Sequence, residues 1–149
     1  GGGVGLVACC DIAIASENAR FGLSEVKLGL VPAIIAQYVV PIIGVSQSRA
    51  LFVTGERFSA QRALQMNLVH EVVAESELDA AVEQTLKQLR SSGPQAVASA
   101  KRLVDAMWQL DRDAARNYVI EAIVQARGSQ EGQAGMRAFL EKRKPEWNT

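Results

Sequence analysis

The sequence predicts an α/β chain whose first half mixes short strands with helices and whose second half is helical. Two observations lead to this fold class. Residues 1–45 contain few charged side chains, as is typical of segments inside a core, and these are Asp11, Glu17, Arg20, Glu25 and Lys27. Beyond Glu56 charges are frequent, and from about residue 75 apolar residues recur at helical spacing. We therefore expect two regions, residues 1–74 and residues 75–149.

Glycines and β-branched residues mark the strands of the first region. Gly1, Gly2 and Gly3 predict a glycine turn that enters a short helix over residues 4–10. Three segments rich in alternating or β-branched residues predict short strands. They are DIAIAS (residues 11–16), ARFGL (residues 19–23) and LVHEVV (residues 68–73).

Prolines and capping residues delimit the helices of this region. The stretch VPAIIAQYVVPIIG predicts a helix with Pro32 in its first turn and Gly44 at its end, bent or shortened by Pro41. A second short helix, SQSRALFVTG, follows and ends on its last glycine. Ser59 is expected to cap AQRALQM, and Asn67 is expected to end that helix in a left-handed conformation.

The second region predicts four helices. The first follows a capping-box-like start at Ser76, and the second begins at Pro94 after the break SSGPQ. The third covers about residues 113–127. The last covers about residues 131–142 and is expected to turn three apolar residues inward, namely Met136, Phe139 and Leu140. The predicted strands are too few to close a sheet, which indicates that the α/β part belongs to something larger.

Composition bounds the possible partners. Lys and Arg total 16 and so do Asp and Glu, so the net charge is zero and a dominant nucleic-acid or anionic-membrane surface is not expected. The longest apolar run, residues 30–43, is interrupted by Pro32, Gln37 and Pro41, so we expect no membrane span. No signal-peptide pattern is visible.

Cysteine and histidine usage limits redox and metal chemistry. Cys9 and Cys10 are adjacent, so a disulfide between them is not expected, and we interpret them as small buried residues in a reducing compartment, the cytoplasm. His70 is the single histidine, so a zinc site or a Ser-His-Asp triad would have to use it. We interpret His70 as a surface strand residue and predict no metal site.

Two features could carry chemistry. A glycine run that opens a helix leaves main-chain N–H groups free to face a developing negative charge, although such runs also serve turns and tight packing. Glu25 lies in the apolar stretch FGLSEVKLGLVP, where a carboxyl group can act as a general acid or base. A helix-capping role, or an ion pair with Lys27, is the structural alternative.

Taken together, the motifs closely resemble the enoyl-CoA hydratase/isomerase superfamily, the crotonase fold. The resemblance covers essentially the whole chain and is carried by GGGVGLVACCDIAIASENARFGLSEVKLGLVP (residues 1–32), TGERFSAQRALQMNLVHEVV (residues 54–73) and EGQAGMRAFLEKRKPEW (residues 131–147). Within it, FGLSEVKLGLVPAIIAQYVV is most similar to hydratases of branched or carboxylated acyl-CoAs, the methylglutaconyl-CoA and carboxygeranoyl-CoA type. There, related aliphatic residues replace the usual GAGG after the proline.

This resemblance implies a fold and a site. The fold is the C-terminal part of a ββα spiral, followed by a helical trimerisation region. Because family members are longer, it also implies that most of the spiral, a second oxyanion donor and much of the CoA surface precede residue 1. Gly2 matches a glycine whose N–H completes the oxyanion hole, and Glu25 matches the glutamate that moves the α-proton. Lys142 and Phe139 resemble residues near the CoA adenine or 3′-phosphate.

The implied reaction is that of an acyl-CoA lyase without a metal or redox cofactor, in which a coenzyme A thioester is the substrate. The implied assembly is a homotrimer or a dimer of trimers. One position departs from the pattern, because Gly5 stands where a hydratase has its second glutamate. Glu17 is too far along the chain to replace that glutamate.

The departure at Gly5 leaves three chemical possibilities. These are hydration with Glu25 alone or with an acid from elsewhere, isomerisation of a 3-enoyl thioester with one base, and reliance on the substrate's own carboxylate. We favour hydration, because the surrounding residues resemble a hydratase subgroup. An inactive chain that serves only in assembly is the alternative from a different class.

Overall fold

In the computed structural model, which describes residues 2–148, the chain divides into two compact units between Glu83 and Gln84. The elements confirm that the first part of the chain is α/β and that the second part is helical. Helices and strands are numbered separately, each in chain order. The helices are α1 (Gly2–Ala8), α2 (Ala33–Thr54), α3 (Ala60–Gln65), α4 (Leu78–Arg90), α5 (Pro94–Gln109), α6 (Arg112–Gly128) and α7 (Gln130–Leu140). The strands are β1 (Ile14–Ser16), β2 (Arg20–Gly22), β3 (Arg57–Ser59) and β4 (Glu71–Val73), and 3₁₀ turns cover Glu25–Leu28 and Glu75–Glu77.

The strands form two pairs in the first unit. β1 and β4 are parallel, with Ile14 opposite Glu71, while β2 and β3 are antiparallel, with Phe21 opposite Phe58. The rings of Phe21 and Phe58 stack with their centroids 5.6 Å apart. The three strands that the sequence predicts are confirmed in shorter form, and β3 is one that it missed.

Local capping signals place several helix ends correctly. Ser59 accepts a hydrogen bond from Arg62 N, and Asn67 is left-handed with φ 62°. Pro94 is the first residue of α5. The prediction at Ser76 is wrong, because this residue lies inside the 3₁₀ turn and the turn has no side-chain cap. The predicted glycine turn is also wrong for the two described glycines, since α1 already begins at Gly2. Gly1 lies outside the described residues.

Helix α2 joins the two helices that the sequence predicts there. The junction is Gly44, whose φ of 77° and ψ of 161° are not helical, whereas Pro41 lies within the helix. Helix α2 extends beyond the apolar run 30–43, and by length and composition alone it could cross a bilayer, with a mean hydropathy of 1.2 over 18 residues. Core helices of soluble proteins pass the same test, and one such helix is weak evidence for a span.

The hydrophobic core lies in the first unit. It is built by α1, α2, α3 and the strands, with Leu23, Val39 and Leu51 fully buried. In the second unit Met136, Phe139 and Leu140 are 36%, 82% and 79% exposed, so the expectation that they turn inward is wrong; Ala138 is the buried residue of α7. Periodicity identifies an apolar face of a helix but not whether anything covers it.

Candidate active site

Glu25 opens the 3₁₀ turn that precedes α2 and is half-buried. Its carboxylate atom Oε2 is removed from solvent, and no described residue donates a hydrogen bond to it. A buried carboxylate oxygen without a partner is costly to a fold, which makes such groups candidates for interaction with a ligand. Oε2 therefore does not form the ion pair with Lys27 that the structural alternative requires.

The main chain around Glu25 is held on both sides. Leu23, two residues earlier, is fully buried. After the turn, Leu30 N donates a hydrogen bond of 3.0 Å to the carbonyl oxygen of Glu25, and Gly29 reverses the chain with φ 71°. The positive φ explains why a glycine stands there. The side chain of Glu25 is thus carried by an anchored turn.

A second contact places this turn against the end of α2. Gly55 ends α2 with φ 58°, and a Cβ atom there would lie 3.0 Å from Cγ2 of Val26 and 3.2 Å from Cε of Lys27. The close approach requires a residue without a side chain. Glu25 is therefore held in place by Leu23 before it, by the turn after it and by Gly55 at the far end of α2.

Gly2 is the first residue of α1 and is exposed. The first N–H groups of a helix have no acceptor within the helix, so the N–H of Gly2 is available to an acceptor outside it. A Cβ atom at Gly2 would meet nothing within 4 Å. Helix α2 packs against α1 and also against the Glu25–Leu28 turn, so it connects the two elements that carry the candidate residues.

Gly5 is buried in α1 against α2. A Cβ atom at this position would overlap Cγ2 of Ile35 and lie 3.1 Å from its Cβ, which is inside ordinary carbon–carbon contact. No side chain, acidic or otherwise, fits at position 5 while Ile35 stands opposite. The sequence identified the missing acid but not the residue that takes its space.

Phe139 and Lys142 lie at the end of α7 in the second unit, and both side chains are exposed. Lys142 follows the helix with φ 54°, a left-handed conformation that ends it. Exposure leaves both side chains available to a ligand, and their assignment to CoA stays a prediction. A cavity of about 440 Å³ among α5, α6 and α7 is lined by other residues, including Arg102, Tyr118, Glu121 and Trp147.

The two cysteines and the histidine are all exposed. Cys9 and Cys10 are free and exposed, so their expected burial is wrong. His70 is exposed, as expected, and its Nδ1 accepts a 3.0 Å hydrogen bond from Ala13 N, while His70 N donates to the carbonyl oxygen of Ala13 at 2.8 Å. Its ring thereby continues the β1–β4 pairing. Among residues 2–148 no group of three or more His, Cys, Asp or Glu side chains could hold a metal ion.

Comparison with known proteins defines the class. The family model described as enoyl-CoA hydratase/isomerase matches residues 1–149, so the chain belongs to that family. Among curated relatives, a short-chain-enoyl-CoA hydratase from Clostridium acetobutylicum is 35% identical over 147 residues, which cover 98% of this chain and 56% of the relative. The chain therefore spans about half the length of the curated relatives it matches.

Solved structures agree with the fold. An enoyl-CoA hydratase from Shewanella pealeana has a TM-score of 0.92 at 42% identity, covering 99% of this chain and 55% of that one. AtuE from Pseudomonas aeruginosa has a TM-score of 0.95 at 41% identity, covering 99% and 58%. The chain is thus part of a crotonase-type α/β fold, as the sequence predicts.

Proposed function

We propose that the protein carrying this chain is an acyl-CoA lyase that adds water across an α,β-unsaturated acyl-CoA thioester. The observation that carries the proposal is the buried, unpartnered Oε2 of Glu25, held on an anchored turn in a chain of the enoyl-CoA hydratase/isomerase family. The substrate is the coenzyme A thioester itself.

The reaction divides between two groups of the first unit. Water oxygen bonds to the β-carbon, and the electrons of the double bond move onto the thioester carbonyl oxygen to form an enolate. The N–H of Gly2 donates to that oxygen, as an oxyanion-hole donor does. Glu25 delivers a proton to the α-carbon, which restores the thioester carbonyl. The proton that Glu25 delivers is the one that water loses to its carboxylate, so a single acid completes the addition although no side chain fits at Gly5.

For the acyl group we propose a branched or carboxylated chain. The similarity to AtuE and the aliphatic residues after Pro32 support this subgroup. Ile34 and Tyr38, in the first turns of α2, are 82% and 45% exposed and offer apolar surface within the same element. A carboxylated substrate could also position the attacking water with its own carboxylate.

Isomerisation of a 3-enoyl thioester is the second candidate. The observation that favours it is the contact between Gly5 and Ile35, because a site with one acid is sufficient to move a proton between two carbons. In that reaction Glu25 removes the α-proton, and the same carboxyl group returns it to the γ-carbon through the enolate. The donor at Gly2 has the same role in both reactions.

The assignments outside the first unit concern binding and assembly. We propose that Phe139 and Lys142 contact the adenine or phosphate of CoA, by stacking and by charge respectively. We propose a homotrimer or a dimer of trimers, with the exposed apolar side chains of α5 and α6, such as Val104 and Ile123, at subunit contacts. The free thiols of Cys9 and Cys10 suit a reducing compartment, the cytoplasm.

The test is Glu25→Gln, which keeps the shape of the side chain and removes its proton chemistry. We expect hydration of a crotonyl-type or methylglutaconyl-type thioester to fall about 10²–10⁴-fold, the usual contribution of a general acid or base. Glu17→Gln, at an exposed acid of the same unit, is the control and should leave the rate unchanged.

The outcomes separate the candidates. Unchanged hydration in Glu25→Gln contradicts the role of Glu25. A parent protein that isomerises a 3-enoyl thioester but adds no water supports the second candidate. A monomer by size-exclusion mass that binds no acyl-CoA supports the alternative of an inactive chain.

A further inference from the structure

Gly5 on α1 and Ile35 on α2 approach each other closely. Ile35 is 8% exposed, and its Cγ2 occupies the place where a Cβ atom of residue 5 would stand. A β-branched side chain in a helix has one strongly preferred rotamer, so Ile35 cannot swing aside without strain. Any side chain at position 5 would therefore force Ile35 or the packing of α1 on α2 to shift.

Both positions differ from the usual hydratase sequence, and at Ile35 the difference is the one expected of the subgroup that this chain resembles. Gly5 stands at the position of the second glutamate, and Ile35 stands in the four residues after Pro32 where the usual sequence is GAGG. In that usual sequence the first of these positions holds a large residue and the second a small one. Here the sizes are exchanged, and the structure brings the two positions into contact.

Gly5 also lies in the same helix as Gly2, the proposed oxyanion donor. Positions 2 and 5 are three residues apart in α1 and therefore lie on one face of that helix. Ile35 follows Glu25 across the Gly29 reversal and the start of α2. Helix α2, which carries Ile35, packs against both α1 with Gly2 and the turn with Glu25.

We propose that Ile35 is a specificity-determining residue that replaces the second carboxylate with an aliphatic wall. The two residues act together: Ile35 fills the volume that a side chain of residue 5 would occupy, and glycine at position 5 leaves that volume empty. This inference rests on the proposed function and deepens it. The proposed site then has Glu25 as its single acid because of Ile35 on α2 as well as because of Gly5.

A stability cycle tests the pairing without any activity measurement. We expect Gly5→Ala to lower Tm by roughly 3–8 °C, because the added methyl group overlaps Ile35. In an Ile35→Ala background the same change should cost clearly less, because only the Cβ of residue 35 at 3.1 Å remains, so the two substitutions should be non-additive. Ile43→Ala, at another buried isoleucine of α2, is the control and should be additive with Gly5→Ala.

Activity tests the role at the site. Gly5→Glu combined with Ile35→Gly supplies both a second acid and the space for it. We expect the ratio of hydration to isomerisation rates to rise at least 10-fold over the parent, while Gly5→Glu alone lowers Tm and does not raise the ratio. The probes are a crotonyl-CoA and a 3-hexenoyl-CoA thioester, assayed on the protein that carries this chain.

Several results would overturn the proposal. One is a Gly5→Glu or Gly5→Ala variant with the Tm of the parent, because position 5 would then have room. Another is additivity with Ile35→Ala. A third is a stable double variant whose rate ratio equals that of the parent. Lack of any turnover in the parent, by contrast, defeats the proposed function and leaves the stability cycle to decide the pairing.

Discussion

Substitution of Gly2 by proline removes one hydrogen-bond donor from the proposed site while preserving its helix. Gly2 is the first residue of α1, and proline is favoured at this position because its fixed φ suits a helix start. Proline has no N–H, and the N–H of a first helical residue has no partner inside the helix. The space around Gly2 is open, since a Cβ atom would meet nothing within 4 Å.

The magnitude follows from the role of the donor. Loss of one oxyanion-hole donor costs about 2.7–4 kcal/mol, which corresponds to a fall of about 10²–10³ in kcat. The folded state should not lose stability, because proline at a compatible site reduces the entropy of the unfolded chain and contributes about 0.4–1 kcal/mol. A large loss of rate with an unchanged or raised Tm is therefore the expected signature.

The assay follows disappearance of the conjugated enoyl thioester, with Tm measured on the same samples. Gly2→Ala is the matched control: it keeps the N–H and adds a methyl group in open space, so its kcat should stay within a few-fold of the parent. Equal impairment of both variants would show that the main-chain N–H is not what matters. Full activity in Gly2→Pro would refute the donor assignment altogether.

Three further substitutions test the geometry of the second unit by thermal unfolding. Gly132→Ala should destabilise by about 1–3 kcal/mol despite its better helix propensity, because its Cβ would overlap the carbonyl oxygen of Ala126. Gly128→Ala, where nothing lies within 4 Å, should instead stabilise by about 0.4–1 kcal/mol; the same sign for both would contradict the structure. Glu131→Ala should cost about 1–2 kcal/mol, because its carboxylate accepts hydrogen bonds from Gln95 N and Ala96 N at the start of α5, and an unchanged Tm would argue against that cap.

Local signals in the sequence were sufficient for part of the fold. Ser59, Asn67 and Pro94 act through their own backbone or their nearest neighbours, so their effects are visible in a few residues. Strand β3 has three residues and no alternation long enough to detect. The outward position of Phe139 depends on what covers α7, which periodicity does not report.

The candidate site was predictable in a similar way. The resemblance selected Gly2 and Glu25 as candidates by position and identified Gly5 as the position of the missing acid. The contact between Gly5 and Ile35 joins residues far apart in the chain, and neither residue alone indicates it. In the sequence it is indicated only by two differences from the usual hydratase sequence taken together, a small residue at position 5 and a large one at position 35.

The parallel pairing of β1 with β4 has a consequence for the order of events during synthesis. Ile14 finds its partner only when Glu71 has emerged, and Arg20 of β2 must wait for Ser59. At about 5–20 residues per second, the segment that holds Glu25 spends several seconds outside the ribosome without its partners. During that time the apolar stretch around Glu25 is exposed to solvent, which makes it a natural point of contact for chaperones in a living cell.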